Sequence, residues 1–159
     1  MTAIADELGI NRVTLYRWVG SRDALLVEVL WSLADRVLTW ADEQSGGAVG
    51  GERIVDVITR FLNRVIIDRG MQRFLGDEGE LAMRLLTRVD HDFQRRLTRA
   101  IHELLAAEAD AGHLHLSADL NEVAFALVRI IESYTYLDLI LGEKPEAARA
   151  EPILRLLLC

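Results

Sequence analysis

The chain has 159 residues, 51% of them hydrophobic and 27% charged, with 2 Pro and a formal net charge of -7. Such apolar content can build a packed core and excludes intrinsic disorder, which needs low hydrophobicity with high charge; the length suits one domain, or a small domain joined to a larger one. No apolar run approaches the ~20 residues of a membrane span, the first residues lack the basic and apolar parts of a secretory signal, and the single Cys159 leaves no internal disulfide, so a reducing, cytoplasmic setting is expected.

Apolar residues recur at helical spacing nearly everywhere, without the sustained alternation of a half-buried strand, so an all-α fold is predicted. Two short helices come first, over 3–8 and 12–18, separated by Gly9 and with Thr2 and Asn11 as N-cap candidates. Charge is distributed unevenly here: residues 1–22 hold Arg12, Arg17 and Arg22 against Asp6 and Glu7, a local +1 that leaves -8 for the remainder. Phosphate binding needs basic surface, so this end of an otherwise acidic chain is where a nucleic acid would dock.

Ser21 caps a long helix over 22–44 whose apolar stripe includes Leu25, Leu26, Val29, Leu33, Val37 and Trp40. The glycine-rich stretch from Ser45 to Gly51 reads as a loop, since glycine weakens a helix through backbone entropy. Beyond it Ile54, Val57, Ile58, Phe61, Leu62 and Val65 mark a helix over 52–69 that stops at Gly70, and Met71 to Leu75 form a short helical turn. Asp77 with Glu80 has the acidic form of a capping box and opens a helix through Leu81, Leu85 and Leu86. A helix over 91–111 places Phe93, Leu97, Ile101, Leu104 and Leu105 inward, with Gly112 at its exit. Asp119 with Glu122 repeats the capping pair and starts a strongly apolar helix to Leu141, closed by Gly142; Pro145 prevents its continuation, and a final helix runs over 146–158.

Two short helices around a glycine turn, the second carrying arginines and aromatics, form a helix-turn-helix pattern in which the second helix enters a major groove. Residues 4–26, from Ile4-Ala5-Asp6-Glu7-Leu8-Gly9-Ile10-Asn11 through Arg12-Val13-Thr14-Leu15-Tyr16-Arg17-Trp18 to Ser21-Arg22-Asp23-Ala24-Leu25-Leu26, closely resemble the DNA-binding signature of the TetR family of bacterial repressors. Thr14-Leu15-Tyr16 and the Ser21-Arg22-x-x-Leu25 start of the long helix are its most diagnostic parts. Arg73-Phe74-Leu75, Glu80 to Thr87 and Leu127 to Ser133 further resemble the QsdR-type C-terminal domain of that family, a type linked to lactone catabolism.

The resemblance implies a helix-turn-helix part at 1–23, a connecting helix from 22–44, and a ligand-binding and dimerisation domain over 45–159. It implies a transcriptional regulator, in particular an effector-responsive repressor that binds a pseudo-palindromic double-stranded DNA operator as a homodimer and responds to a small, largely apolar, lactone-like effector. TetR regulators place another helix before the one that here begins at residue 3. Without it Ile4, Leu8, Leu15 and Val19 have fewer apolar partners, and the alternative reading is a ligand-binding dimer without effective DNA binding.

Helical geometry lets Arg12, Val13 and Arg17 project outward while Leu15 and Val19 turn inward. By resemblance the first three face base edges, an arginine pairing with guanine O6 and N7 and Val13 meeting a thymine methyl. Thr14 and Tyr16 offer hydroxyls to phosphate oxygens, Arg22 neutralises a phosphate, and Trp18, where the family most often has histidine, wedges against sugar-phosphate. The bland alternative is a set of solvated arginines and a buried tyrosine.

The helix over 119–141 has Val123, Leu127, Ile130, Tyr134, Leu137 and Leu141 on one face and Phe125, Val128, Ile131, Thr135 and Leu139 on another, too many apolar sides for a surface helix. It is either central within a monomer or shared between its own core and a second subunit. The resemblance implies the latter, a dimer interface of Val123, Leu127, Ile130, Tyr134, Leu137 and Leu141 with Leu154 and Leu157 of the final helix. Arg129, Glu132, Ser133 and Tyr136 are polar groups in that apolar helix, and Arg129 with Glu132 has the i, i+3 spacing of an ion pair; they anchor a ligand's polar head or form a satisfied buried network or interface pair. Phe61, Val65, Phe74, Met83, Phe93, Leu97 and Ile101 line any cavity between the middle helices, or are plain core.

His91 and His102 stand about 16 Å apart along one helix, too far to share an ion, and His113 and His115 have no carboxylate or cysteine pair nearby, so no metal or other cofactor is expected. The chain lacks G-x-S-x-G, a phosphate loop and H-E-x-x-H, and catalysis is not expected.

Overall fold

The helical periodicity resolves into ten α-helices without a strand in the computed structural model, which describes residues 1–159 apart from the side chain of Val89. They are α1 (Thr2–Glu7), α2 (Arg12–Val19), α3 (Arg22–Glu43), α4 (Gly50–Ile67), α5 (Arg69–Asp77), α6 (Gly79–Thr87), α7 (Phe93–Asp110), α8 (Leu120–Thr135), α9 (Leu137–Leu141) and α10 (Glu151–Leu158). Three of the expected caps form: Asn11 accepts from the Val13 N–H at 2.7 Å, Ser21 from the Ala24 N–H at 3.0 Å, and Asp119 from the Asn121 N–H at 2.8 Å. Each satisfies a backbone donor that has no partner inside its own helix.

Four local expectations are corrected. Thr2 lies inside α1, whose N-cap position falls to Met1 without a side-chain bond. Asp77 ends α5 instead of capping α6, whose N-cap position is taken by Glu78 with no side-chain cap. The apolar helix expected over 119–141 breaks at Tyr136, where the backbone leaves the helical region at φ -100 and ψ 16, separating α8 from α9. The final helix begins at Glu151, after one 3-10 turn at Ala147–Arg149.

The glycine stretch is also more than a loop, because α4 starts inside it. A Cβ on Gly50 would stand 2.3 Å from the His113 carbonyl oxygen, and one on Gly51 would stand 2.2 Å from that of Leu158. Glycine is needed there so that the start of α4 can approach two other backbone segments, and Gly50 also has φ +62. In the next junction Asp68 ends α4 and caps α5, accepting from the Met71 N–H at 2.8 Å.

From that start α4 runs through the centre of the body, packing on α3, α7, α8 and α10. Its Ile54, Ile58 and Leu62 are completely buried, joined by Leu85, Ile101, Leu105, Leu127 and Leu154 from the surrounding helices. Enclosing each such side chain stabilises the fold by about 1.5–3 kcal/mol before conformational entropy is charged against it. The N-terminal head, α1 and α2, contributes only Ala5 and Leu15 as buried side chains and is held on the first turns of α3.

Candidate functional site

The outer face of α2 follows from two local features. Asn11 fixes where the helix starts, and Leu15, 3% exposed, is the side chain that anchors it inward. Arg12, Val13, Tyr16, Arg17 and Trp18 are then left outside, with Val13 and Trp18 70% and 65% exposed; Thr14 is half-buried. The Arg12 guanidinium lies 6.0 Å from the centre of the Tyr16 ring. Neither Arg12 nor Arg17 forms an ion pair among the described residues. Arg22 sits one turn away at the start of α3 and is 3.4 Å from Glu78, a residue of the body. The arrangement offers a narrow, cationic and partly apolar rod of the width a major groove admits.

Behind the head, α3 forms one wall of a cavity of about 780 Å³. Leu26, Val29, Leu30, Leu33, Val37 and Trp40 come from α3; Phe61 and Val65 from α4; Met71 and Phe74 from α5; Phe93 and Leu97 from α7; Ile131, Glu132 and Thr135 from α8, with Tyr136 at the break that follows. The exposed residues Arg36, Arg64, Asp68 and Gly70 mark its open side. The volume falls within the ~300–1,000 Å³ usual for small-molecule sites, and the walls are mainly apolar with a few polar groups, as such sites are.

Those polar groups sit together on the last turn of α8. Glu132 Oε2 is 3.0 Å from Arg129, while its Oε1 is buried with no hydrogen-bond partner. Burial pushes the Glu132 carboxyl up to about 7 against the opposing pull of Arg129. Tyr136, 4% exposed, has its phenol pushed upward by burial and then by the nearby Glu132. Arg129 itself turns away, bonded to Gln94 and lying 5.0 Å from the Phe125 ring.

Seven of the sequence-predicted ligand residues therefore meet at one cavity: Phe61, Val65, Phe74, Phe93, Leu97, Glu132 and Tyr136. Three do not. Ile101 is 1% exposed in the core beyond the wall, Met83 packs on that core from α6, and Arg129 supports Glu132 from outside the lining. The wall supplied by α3 was missed, although the apolar stripe from Leu26 to Trp40 was visible in the sequence; read alone it looks like ordinary core contact. Val29, Leu33 and Trp40 are in fact 48%, 44% and 41% exposed, because they face open space.

The predicted dimer residues also divide. Leu127 and Leu154 are 0% exposed and Leu137 is 8% exposed, so the subunit's own core already covers them and they have no area to give a partner. Val123, Ile130 and Tyr134 are half-buried against that core, and the Tyr134 hydroxyl donates to the Arg149 carbonyl at 3.1 Å. Leu141 and Leu157 are exposed, as are Phe125, Leu139, Ile140, Ile153 and Leu156 from the same end of the chain. Exposed apolar side chains are thus present on α8, α9 and α10, but of the eight expected interface residues only Leu141 and Leu157 are among them.

At the far end of α3 an ionic knot around the buried Glu108 closes the body. Arg53 bonds to Asp42 at 2.5 Å and to Glu108, and Glu108 also accepts from the Gly50 N–H at 2.5 Å, filling the cap that Val49 cannot provide. Burial alone would raise the Glu108 carboxyl, but the Gly50 N–H, Arg53 and His113 outweigh it and hold the group below its ordinary range. No group of three or more metal-ligating side chains is present among the described residues, and no helix there is long and apolar enough to cross a membrane.

Residues 49–159 match the model of the tetracyclin repressor-like C-terminal domain family. Over nearly the whole chain the fold is similar to the solved structure of the R. erythropolis transcriptional repressor QsdR from the TetR family, at 31% identity and a TM-score of 0.88, covering 99% of this chain and 82% of that one. No curated protein matches the chain.

Proposed function

The chain belongs to the TetR family of transcriptional regulators, and from that premise we propose that it is an effector-responsive repressor, reading a pseudo-palindromic operator as a homodimer. The observation that carries this reading is the double use of α3. Its first residue, Arg22, follows the end of α2 after the two-residue turn Gly20-Ser21, and its middle is a wall of the cavity. A molecule filling the cavity presses on the same rod that carries the DNA-reading head. Arg12, Val13 and Arg17 read bases, Thr14, Tyr16, Trp18 and Arg22 hold the sugar-phosphate, and the apolar surface around Leu141, Leu156 and Leu157 closes the dimer. An effector shifts the balance only through its differential affinity for the two head spacings.

Selection from random DNA with the purified chain tests the reading and is expected to return an inverted repeat, its half-sites about one helical turn apart or a multiple of that. Calorimetry with that DNA tests the coupling. Operator must weaken effector binding by the same factor by which effector weakens operator binding, and equal effector affinity with and without operator refutes the scheme.

A second reading, a ligand-binding dimer without effective DNA binding, draws on the thin packing of the head, where Ile4 and Leu8 are 39% and 58% exposed. Selection that returns no sequence while the cavity binds ligand favours it.

A further inference from the structure

The cavity walls are hydrocarbon almost throughout, so the few polar atoms that interrupt them choose the occupant. Arg36, Arg64 and Asp68 stand at the exposed side, and the enclosed polar groups lie on one helical turn: Glu132 and Tyr136 are four residues apart at the end of α8, and Thr135 between them already spends its hydroxyl proton on the Ile131 carbonyl at 2.8 Å. Glu132 Oε1 is a fully buried acceptor without a donor; the hydroxyl of Tyr136, a residue 4% exposed, is not fully enclosed and donates to no described residue. An unmade bond at a buried polar group costs the full desolvation of that group. The break at Tyr136 places an unused donor one turn from an unused acceptor.

We propose that the cavity takes an uncharged amphiphile whose single polar head both donates and accepts, an aliphatic alcohol or carboxamide, the head lying between the Glu132 carboxyl and the Tyr136 hydroxyl. The inference rests on the reading of the cavity as the effector site. An ester or ether head accepts only, and leaves Glu132 Oε1 unpaired. A carboxylate head brings a second negative charge beside Glu132, whose one close counter-charge, Arg129, stands outside the lining, with Nη2 engaged by Glu132 Oε2 and Gln94 and only its enclosed Nε unpartnered. An ammonium head meets an acid already balanced by Arg129, and must pass Arg36 and Arg64 at the open side. The uncharged head that gives and takes one hydrogen bond is the one that satisfies both groups without importing charge.

Five probes sharing one tail separate these cases: decanol, decanamide, decyl methyl ether, decanoate and decylammonium, titrated against the intact chain at a pH above the raised Glu132 value, so that the carboxylate only accepts, with Trp40 fluorescence as the reporter in the cavity wall. Decanol and decanamide are expected to bind about tenfold or more tighter than the other three. Glu132→Leu removes the preference for decanol over the ether, and Tyr136→Phe weakens decanol and the ether together, because both accept from that hydroxyl. Glu132→Gln, which keeps an acceptor oxygen without the charge, retains the preference for decanol over the ether and loses the discrimination against decanoate. Binding of all five with equal affinity overturns the assignment of the head and leaves the effector cavity standing. Failure of every probe to bind overturns both.

Discussion

In α1 and α2 only Ala5 and Leu15 are buried, while Leu8, Val13 and Trp18 are 58%, 70% and 65% exposed; in the body Ile54, Ile58, Leu62, Leu85, Ile101 and Leu105 are at most 1% exposed. At ~25 cal/mol per Å² of apolar surface, the head gathers little stability of its own. Its order is lent by α3, through the Ser21 cap and the ion pairs Arg22–Glu78 and Asp23–Arg84 that tie the first turn of α3 to the body. A reading element of low local stability docked on a firm one can shift or fray without unfolding the rest, which suits a part that must move.

Core truncation on each side gives the largest contrast. Leu62→Ala should cost about 2–5 kcal/mol in urea unfolding, the range for deleting an enclosed leucine. Leu15→Ala should leave that transition nearly in place, strip hydrogen-exchange protection from α1 and α2 alone, and abolish operator binding. An equal loss of global stability from the two substitutions would erase the distinction between head and body.

Inside the body, two glutamates sharpen the comparison because their environments push in opposite directions. Glu108 is fully served by Arg53, Gly50 and His113, whereas Glu132 has one satisfied oxygen and one orphan. Arg53→Met leaves Glu108 buried without its main counter-charge and should destabilise by about 3 kcal/mol, at the low end for a broken buried pair because the arginine is partly exposed. The folded Glu108 carboxyl binds its proton less readily than the unfolded one, so its contribution is present above the ordinary value of 4.5 and is lost as pH falls through the lower folded value. Unfolding of Arg53→Met against pH should therefore show a weaker acid dependence than the parent.

Glu132 runs the other way. Its folded carboxyl, pushed up to about 7 by burial, holds a proton that the unfolded chain releases near 4.5, so stability declines as pH rises between those values. Arg129 opposes the shift, and Arg36, Arg64 and Asp68 are the other charged groups on the cavity wall. Glu132→Gln removes the titration and should flatten that slope, making the empty protein more stable at pH 8 by up to about 3 kcal/mol, the equivalent of the full shift. A slope unchanged in the variant would mean that Glu132 does not titrate in this window. A buried acid that costs stability when ionised, and stands on a cavity wall, is a candidate binding group on physical grounds, consistent with the proposed effector site.

The two regions are also unequally legible in the sequence. The head was readable residue by residue because its surface is one run, Arg12 to Trp18, with a cap at each end; the periodicity that hides Leu15 is the same that exposes Arg17. The cavity draws on α3 to α8, and no local pattern says that Leu33 faces space while Leu30, three residues earlier, meets the core. Tyr136 interrupts a hydropathy period that runs on unbroken through Leu137 to Leu141, so the kink that creates the polar corner left no mark in the period. Gly50 and Gly51 were legible as glycines, yet the reason for them lies more than sixty residues away, at the backbone of His113 and Leu158.

The smallest expected effect concerns the contact between head and body. On the proposed reading Arg22 neutralises a phosphate, and in the structure Glu78 lies 3.4 Å from it with both side chains about half exposed. Such a pair contributes little to stability, ~0–1 kcal/mol, so Glu78→Gln should leave the unfolding midpoint where it is. DNA is a different matter, because a phosphate must compete with Glu78 for the same guanidinium. Removing the competitor should tighten operator binding by about two- to fivefold at low salt, the gain shrinking as salt screens the exposed charges. Arg22→Gln should weaken binding to all sequences alike and lower the salt dependence by about one released counterion. If Glu78→Gln changes operator affinity only when Arg22 is present, the body touches the reading head through this pair; if the two substitutions act independently, coupling passes through α3 alone.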